Sequence, residues 1–218
     1  MNLLHVILFI TMLAAAYLVG AIPFGLVIGK LFFDVDIREH GSGNVGTTNA
    51  FRVLGKKAGI AVLACDMMKG YVPALLASLV FGPWATIFVA SAPVAGHMYS
   101  VFLRGSGGKG IATGSAVVLA LVPAIYVVVL AIWVAVLLAG RIVSLASLAA
   151  AAALAVLVVV TGQPLPYALA AVLIFVLVTV AHRRNIQRIL QHREPRVTLP
   201  WTAKPPAVTG TGREPGSG

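Results

Sequence analysis

Long apolar stretches, interrupted by glycine, proline or charged residues, make up most of the chain. The first covers residues 3–33 and is broken by Gly20, Pro23, Gly25 and Gly29. The others cover residues 70–81, 84–103, 111–122, 124–139, 143–161 and 167–181. A bilayer crossing needs about 20 apolar residues, and fewer where the bilayer thins. The pattern predicts an all-α integral membrane protein with about seven transmembrane helices, of which the second and fourth are short.

Basic residues lie in alternate connections between the apolar runs. The connection 34–57 holds four of them, 104–110 holds two and 182–196 holds five, whereas 82–83 and 162–166 hold none. Cytoplasmic loops are enriched in Lys and Arg, so we expect the N-terminus outside and the C-terminus in the cytoplasm. Arg141 agrees with this orientation if Pro123 is an outer turn between two crossings, which gives seven crossings.

Smaller elements complete the predicted architecture. Residues 55–64 are expected to form a helix at the membrane interface. Because the two short helices span less than the hydrocarbon core, the charged, glycine-rich segments before them are expected to lie recessed in a cytoplasmic pocket. Residues 182–192 can continue the last membrane helix. Residues 1–194 then form the transmembrane domain, and 195–218, rich in Pro, Gly and Thr, form a disordered cytoplasmic tail.

The composition agrees with a membrane protein. Hydrophobic residues make up 60% and charged residues 10%, whereas soluble domains carry about 25% charged residues. This argues against a soluble globular enzyme, a coiled coil or a disordered chain. The formal net charge of +10 indicates cytoplasmic loops first, and an anionic substrate or lipid headgroup second, rather than nucleic acid. The single Cys65 permits no internal disulfide.

Polar residues concentrate in three segments at the predicted cytoplasmic face, 41–52, 66–73 and 96–114. The first contains a G-x-G-x-x-G pattern, but no strand precedes it, so a dinucleotide-binding fold is rejected. Residues 105–110 resemble a phosphate-binding loop of nucleotide hydrolases only superficially, because Gly110 rather than Ser or Thr follows Lys109. Nucleotide hydrolysis is therefore rejected as well.

The first and third segments nevertheless have the composition of phosphate-binding loops. Glycines let several backbone N–H groups converge on one oxyanion, and nearby hydroxyls and amides add neutral donors. Arg52 can act as a bidentate clamp and Lys109 as a point charge. The alternative is a pair of solvated loops with ordinary positive-inside charge. The dense first segment, three glycines in six residues followed by Thr-Thr-Asn, favours a phosphate site over a plain connector.

Histidines and acids narrow the chemistry further. His97 near a helix end is equally compatible with a structural role and with a general base near pH 7. His40 is expected to be a loop residue, and Asp66 a helix cap or a partner for Lys69. No Cys/His spacing indicates zinc, and the acids are too scattered for a metal cage. No acidic residue stands five positions after any histidine, so His-Asp acyltransferase chemistry is not expected.

Five motifs in order resemble the bacterial acyl-phosphate-dependent glycerol-3-phosphate acyltransferases, the PlsY family. They are Gly-Ser-Gly-Asn-Val-Gly-Thr-Thr-Asn at 41–49, Lys69 with Gly70, Gly96 with His97 followed by Gly-Gly-Lys-Gly at 107–110, Gly-Gln-Pro-Leu-Pro at 162–166, and His-Arg-Arg-Asn-Ile at 182–186. The resemblance runs from about residue 14 to 196. Tyr99 and Ser100 stand where Phe-Pro is usual, and Gly105 and Ser106 replace an aromatic-basic pair, for which Arg104 is the candidate substitute.

The resemblance implies transfer of a long-chain acyl group from acyl phosphate to the 1-hydroxyl of sn-glycerol 3-phosphate, with no cofactor and no metal. The protein would lie in the bacterial inner membrane and face the cytoplasm with its active site. The expected catalytic residues are Ser42, Arg52, His97 and Lys109. The expected substrate-binding residues are Gly41, Gly43, Asn44, Gly46, Thr48, Asn49, Lys69, Gly70, Gly107, Gly108, Gly110 and Asn185.

An acyl phosphate is an activated mixed anhydride, so positioning and charge stabilisation can supply most of the catalysis. Ser42 is then a hydrogen-bond donor, and the attacking hydroxyl loses its proton to His97 or to the substrate's own phosphate, the route that the family favours. Three alternatives stay open: a transporter for a phosphorylated solute, a structural subunit, and an acyltransferase that uses acyl-CoA or acyl carrier protein. Acyl-chain preference and oligomeric state are not predicted.

Overall fold

The computed structural model describes residues 2–197, and these residues form ten α-helices and a single short 3-10 helix. The predicted tail lies almost entirely outside the described residues. The α-helices are α1 (Leu3–Ala21), α2 (Phe24–Phe33), α3 (Thr47–Val53), α4 (Gly55–Val80), α5 (Pro83–Met98), α6 (Ile111–Leu121), α7 (Pro123–Gly140), α8 (Val143–Val160), α9 (Leu165–Ala181) and α10 (Arg183–Leu190), with the 3-10 turn at Val101–Leu103.

The first apolar run is divided where the sequence predicts an interruption. Ile22 is extended and Pro23 precedes α2, because proline cannot donate the backbone hydrogen bond that a continuous helix needs. Just before this break, α1 and α5 touch through their backbones. A Cβ on Gly20 would collide with the backbone of Pro93, and one on Gly96 with the carbonyl of Tyr17. Small residues of this kind let membrane helices approach closely.

Helix α4 corrects two predictions. The interface helix 55–64 and the short helix 70–81 are wrong, because Gly55–Val80 is one continuous helix of 26 residues, about 39 Å long at 1.5 Å per residue. The polar interruption does not end it, since Asp66 and Lys69 form an ion pair on the helix itself, 2.8 Å from Oδ1 to Nζ. Both side chains are buried against neighbouring elements. Of the two helices predicted to be short, only the fourth crossing, α6, has the predicted length.

The turn at Pro123 is confirmed, since α6 ends at Leu121 and proline occupies the first position of α7. The last helix continues beyond His182 as predicted, but its axis bends there by 61°. Among residues 2–197, five helices are long and apolar enough to cross a membrane if α5 is taken with its 3-10 turn, or six with the bent α9–α10 pair, and α2 and α6 are shorter apolar helices. The count of seven crossings and the orientation of the termini therefore stay predictions.

Packing divides the bundle into two parts, which are joined where Ala74 of α4, Ala90 of α5 and Val117 of α6 pack together. Helices α1, α4 and α5 pack around Ala16, Ala77 and Val89, whereas α6 to α9 pack around Val118, Leu154 and Val158. Large apolar side chains cover much of the outer surface, as expected of helices that face lipid. At one end of the bundle, Lys109 of the α5–α6 connection donates to Asn185 of α10, and Ser144 of α8 and Asn185 both donate to Glu194, which follows α10. We call this the polar end.

Candidate active site

The connection 104–110 folds back over the end of α5. The N–H of Gly108 donates to the carbonyl of His97 at 2.9 Å. A Cβ on Gly108 would collide with Nε2 of the His97 ring, and one on Gly107 with the His97 carbonyl. Gly110 has a φ of +74° where it caps α6, a conformation that side chains rarely adopt. The glycines of this motif therefore bring the backbone against the imidazole.

Beneath this connection, α4 contributes a buried charged pair. Lys69 Nζ lies 2.8 Å from Asp66 Oδ1, donates to the carbonyl of Ile22 at 2.9 Å and sits 5.4 Å from the Phe24 ring centroid. Asp66 Oδ1 also lies 3.6 Å from His97 Nδ1. Of the two roles predicted for Asp66, the ion pair with Lys69 is therefore confirmed. The helix-cap role is wrong, because Asp66 lies in the middle of α4.

The Lys109 side chain points away from the Asp66–Lys69 pair and toward α10. Its Nζ donates to Asn185 Oδ1 at 2.6 Å, and the Asn185 amide nitrogen donates to Glu194 at 2.6 Å. Burial lowers the pKa of Lys109 to about 8; the Glu194 carboxylate opposes this shift, while the positive charges of Arg188 and Arg52 add to it. The influence of Arg52 indicates that the first and third motifs place their cations within electrostatic reach of each other.

In the first motif, Asn49 organises the loop. Its side-chain oxygen accepts from the Ser42 N–H at 2.9 Å, and its amide donates to the carbonyls of Ile37 and His40 at 2.8 and 3.1 Å. Asn44 accepts the Gly46 N–H at 2.8 Å in the same way. These two amides hold the loop in shape; direct contact with a substrate stays a prediction for both.

The glycines of this loop serve its turns. Gly41 and Gly43 have φ values of +62° and +69°, where a side chain would be strained. Ser42, Thr48 and Arg52 are exposed. Within residues 2–197 the structure gives the Arg52 guanidinium and the Ser42 hydroxyl no hydrogen-bond partner, so both can turn to a ligand. His40 is an exposed loop residue, as predicted.

Gly70 faces another helix. A Cβ on Gly70 would collide with the backbone carbonyl of Thr113, so this glycine sets the distance between α4 and α6. Contact of Gly70 with a substrate stays a prediction.

Two acidic residues at the site make more contacts than the sequence predicts. Asp66 joins Lys69 to His97, and its spacing of three residues before Lys69 was the signal for an ion pair. Glu194 joins Asn185 to α8 and gave no signal, because it stands at the edge of a Pro-rich segment. Among the described residues, no group of three His, Cys, Asp or Glu side chains could hold a metal ion.

The arrangement can bind phosphate and handle a proton. Arg52 and Lys109 supply two cations of different geometry, and the glycine-rich connections supply backbone N–H groups. Next to them, His97 presents Nδ1 toward Asp66 and Nε2 toward Gly108. A carboxylate beside Nδ1 favours the proton on that nitrogen, which leaves Nε2 as an acceptor.

Comparisons with known proteins show the family to which this chain belongs. The family model described as Glycerol-3-phosphate acyltransferase matches residues 10–192. The glycerol-3-phosphate acyltransferase of Geobacillus kaustophilus is 45% identical over 188 residues, covering 86% of this chain and 95% of that protein. The glycerol-3-phosphate acyltransferase of Aquifex aeolicus is 45% identical over 183 residues, covering 83% and 95%.

Two solved structures have the same fold. Both are crystal structures of PlsY, an integral membrane glycerol 3-phosphate acyltransferase. The glycerol 3-phosphate form superposes with a TM-score of 0.84 at 43% identity, covering 87% of this chain and 96% of that chain. The lysophosphatidic acid form gives a TM-score of 0.82 at 42% identity, covering 87% and 95%.

Proposed function

Because the chain belongs to the glycerol-3-phosphate acyltransferase family of integral membrane proteins, we propose that it transfers a long-chain acyl group from an acyl phosphate to the 1-hydroxyl of sn-glycerol 3-phosphate. The products are 1-acylglycerol 3-phosphate and inorganic phosphate, and the reaction is the first acylation in phospholipid synthesis. The observation that carries the proposal is the connection 104–110, which folds over His97 and places Lys109 against Asn185 at the polar end of an apolar helix bundle.

The chemistry requires little covalent help from the protein. The anhydride carbon is already activated, so Arg52, Lys109 and the glycine N–H groups bind the phosphates and stabilise the charge that develops during attack. Ser42 acts as a hydrogen-bond donor. The attacking hydroxyl gives its proton to His97 Nε2 or to a phosphate oxygen of the substrate, and inorganic phosphate leaves.

The acyl chain needs an apolar surface next to this polar end. A groove of about 510 Å³ lies between α1 and α5 and faces outward. Its lining includes Tyr17, whose hydroxyl donates to the Tyr99 carbonyl at 2.9 Å, two residues beyond His97. An acyl chain that lies in this groove reaches the site from the lipid phase. The groove lining comprises Ile10, Leu13, Ala14, Tyr17, Phe88, Ser91, Ala92 and Ala95.

The deciding experiment is a phosphate-release assay on purified protein with palmitoyl phosphate and glycerol 3-phosphate. We expect phosphate release that requires both substrates, together with formation of the 1-acyl product. The control replaces palmitoyl phosphate with palmitoyl-CoA, which we expect not to be turned over. Turnover of the CoA ester alone would overturn the proposed donor. Folded protein that turns over neither donor would favour a transporter for a phosphorylated solute.

We also propose that the protein lies in the bacterial cytoplasmic membrane with its polar end in the cytoplasm. The support is the excess of Arg and Lys at that end and its lack at the α8–α9 connection. In a Cys65→Ser background, a membrane-impermeant maleimide should label Thr161→Cys in intact cells lacking an outer membrane. Lys57→Cys should be labelled only after lysis. The reverse pattern would contradict this orientation.

A further inference from the structure

The residues after α10 return along the polar end and close over the corner between α7 and α8. The backbone N–H of Val197 donates to the carbonyl of Arg141 at 2.7 Å. Between α10 and Val197, the Glu194 side chain turns inward and is only 7% exposed. We call residues 191–197 the C-terminal strap. Its residues 193–197 lie beyond the last residue that the family model matches, which is 192.

The Glu194 carboxylate collects three hydrogen bonds from two helices. Oε1 accepts from the Ser144 hydroxyl at 2.7 Å and from the Asn185 amide at 2.6 Å, while Oε2 accepts from Arg188 Nε at 2.7 Å. These hydrogen bonds, together with the charge of Arg188, hold the pKa of Glu194 below its ordinary value, although burial alone would raise it. The side chain is therefore an anion at neutral pH.

This anion decides which way the Asn185 carboxamide points. A carboxylate only accepts hydrogen bonds, so the amide nitrogen of Asn185 must face Glu194. The carboxamide oxygen is then left to face Lys109, which only donates. A flipped amide would set oxygen against carboxylate and NH₂ against ammonium, losing two charge-assisted hydrogen bonds. The order Glu194, Asn185, Lys109 thus has one satisfied arrangement.

We propose that Glu194 is a positioning residue for the active site, which holds the Lys109 ammonium in place through the carboxamide of Asn185. The inference rests on the proposed function for the role of Lys109 as a phosphate ligand. It assigns to the C-terminal strap a part in substrate binding, although no hydrogen bond joins the described strap residues to the glycine-rich loops. Asn185 transmits the effect, and Ser144 and Arg188 hold the carboxylate.

Charge provides a second link between the two residues. Three charged groups act on Lys109: Arg52 from α3, Arg188 from α10 and Glu194 from the strap. Lys109 in turn acts electrostatically on His182 at the α9–α10 bend. Glu194 is the one anion among them and raises the pKa of Lys109 against burial. Without the charge of Glu194, the pKa of Lys109 falls from about 8 to a lower value, and the ammonium loses its proton at lower pH.

The kinetic test uses Glu194→Gln and Glu194→Ala in the full chain. We expect kcat/KM for glycerol 3-phosphate to fall about tenfold to a hundredfold, mostly through KM, as for other residues that orient a ligand-binding group. Activity should decline with rising pH as Lys109 deprotonates, and in both variants this decline should begin about one pH unit lower than in the parent. The matched control is Glu39→Gln, which removes an exposed carboxylate of the first loop and should leave both quantities unchanged.

A purely mechanical role for Glu194 makes a different prediction. Ser144→Ala removes one anchor of the carboxylate but leaves the contact with Asn185, so we expect it to cost less than about threefold. A loss equal to that of Glu194→Ala, with an unshifted pH profile in both, would mean that the strap is only an anchor and would overturn the proposal. Since Glu194→Gln keeps the size of the side chain, it also serves if the alanine variant does not fold.

A direct titration separates this inference from the proposed function. Competitive labelling of lysines across a pH series, read by peptide mass spectrometry, gives the pKa of Lys109 without any turnover. A lower pKa in Glu194→Gln than in the parent is the expected result. If the parent is inactive with acyl phosphate but the shift is present, the proposed reaction fails and the positioning of Lys109 stands. An unchanged Lys109 pKa would overturn the positioning role.

Discussion

Arg52→Ala is expected to lower kcat/KM with acyl phosphate and glycerol 3-phosphate about a hundredfold to a thousandfold, while the protein stays folded. The guanidinium is exposed and has no hydrogen-bond partner among residues 2–197, so its removal breaks no hydrogen bond of the described fold. A donor that stabilises developing charge typically contributes this much to catalysis. Steady-state kinetics together with a thermal melt would measure both quantities.

The first loop offers a matched control for this variant. Arg38 is also exposed, but it is already paired with Asp36 at 2.6 Å, so Arg38→Ala should change activity less than about threefold. Arg52→Lys keeps the charge and loses the planar fork, and we expect an intermediate loss. Ser42→Ala should also abolish most activity without unfolding. Full activity in both Arg52→Ala and Ser42→Ala would overturn the site assignment.

Gly70→Ala is expected to lower both stability and activity, and raising the glycerol 3-phosphate concentration should not restore the activity. The new methyl group would collide with the Thr113 carbonyl, which is backbone of α6 and cannot rotate away. Overpacking of this kind costs about 1–3 kcal/mol, and separating α4 from α6 also moves His97 relative to the connection 104–110. Thermal melts and a substrate titration would measure the two effects.

Gly82→Ala is the control for this substitution, because a Cβ at Gly82 would meet nothing within 4 Å and its φ of −67° suits any residue. We expect a melting temperature close to that of the parent. If Gly70→Ala instead melts normally and raises only the KM for glycerol 3-phosphate, the role of Gly70 is substrate binding, as the family resemblance implies, and the packing explanation is wrong.

The membrane architecture could be predicted where local chemistry decides it. Pro123 lacks the N–H that a continuous helix requires, so the break between α6 and α7 was readable from the chain. Helix α4 was not, because Asp66 and Lys69 look like an interruption until their partners are known. Those partners, the Ile22 carbonyl, the Phe24 ring and His97, come from positions far apart in sequence. Tertiary contacts thus turn a polar interruption into helix interior.

The candidate site divides in the same way. The loops with their glycines, Arg52 and Lys109 were predictable, because phosphate binding needs those residue types close together in sequence. Their individual tasks were not. Asn49 is a residue type that often contacts ligands, but its side chain forms hydrogen bonds with its own loop. Glu194 stands at the predicted end of the transmembrane domain, but it accepts a hydrogen bond from Asn185. The sequence reveals which functional groups lie close together in the chain, whereas the direction of each side chain depends on how the helices pack.

The buried pair of α4 also bears on how the protein enters its membrane. A single charged residue at the centre of a helix costs about 2.5–3.5 kcal/mol during translocon-mediated insertion. Helix α4 carries two charged residues near its centre, Asp66 and Lys69. The groups that complete their contacts lie at the α1–α2 break, which is synthesised before α4, and on α5, which is synthesised after it. This helix is therefore a poor candidate for independent integration. Its stable entry depends on neighbours synthesised on both sides, so biogenesis of this bundle is cooperative from its second long helix onward.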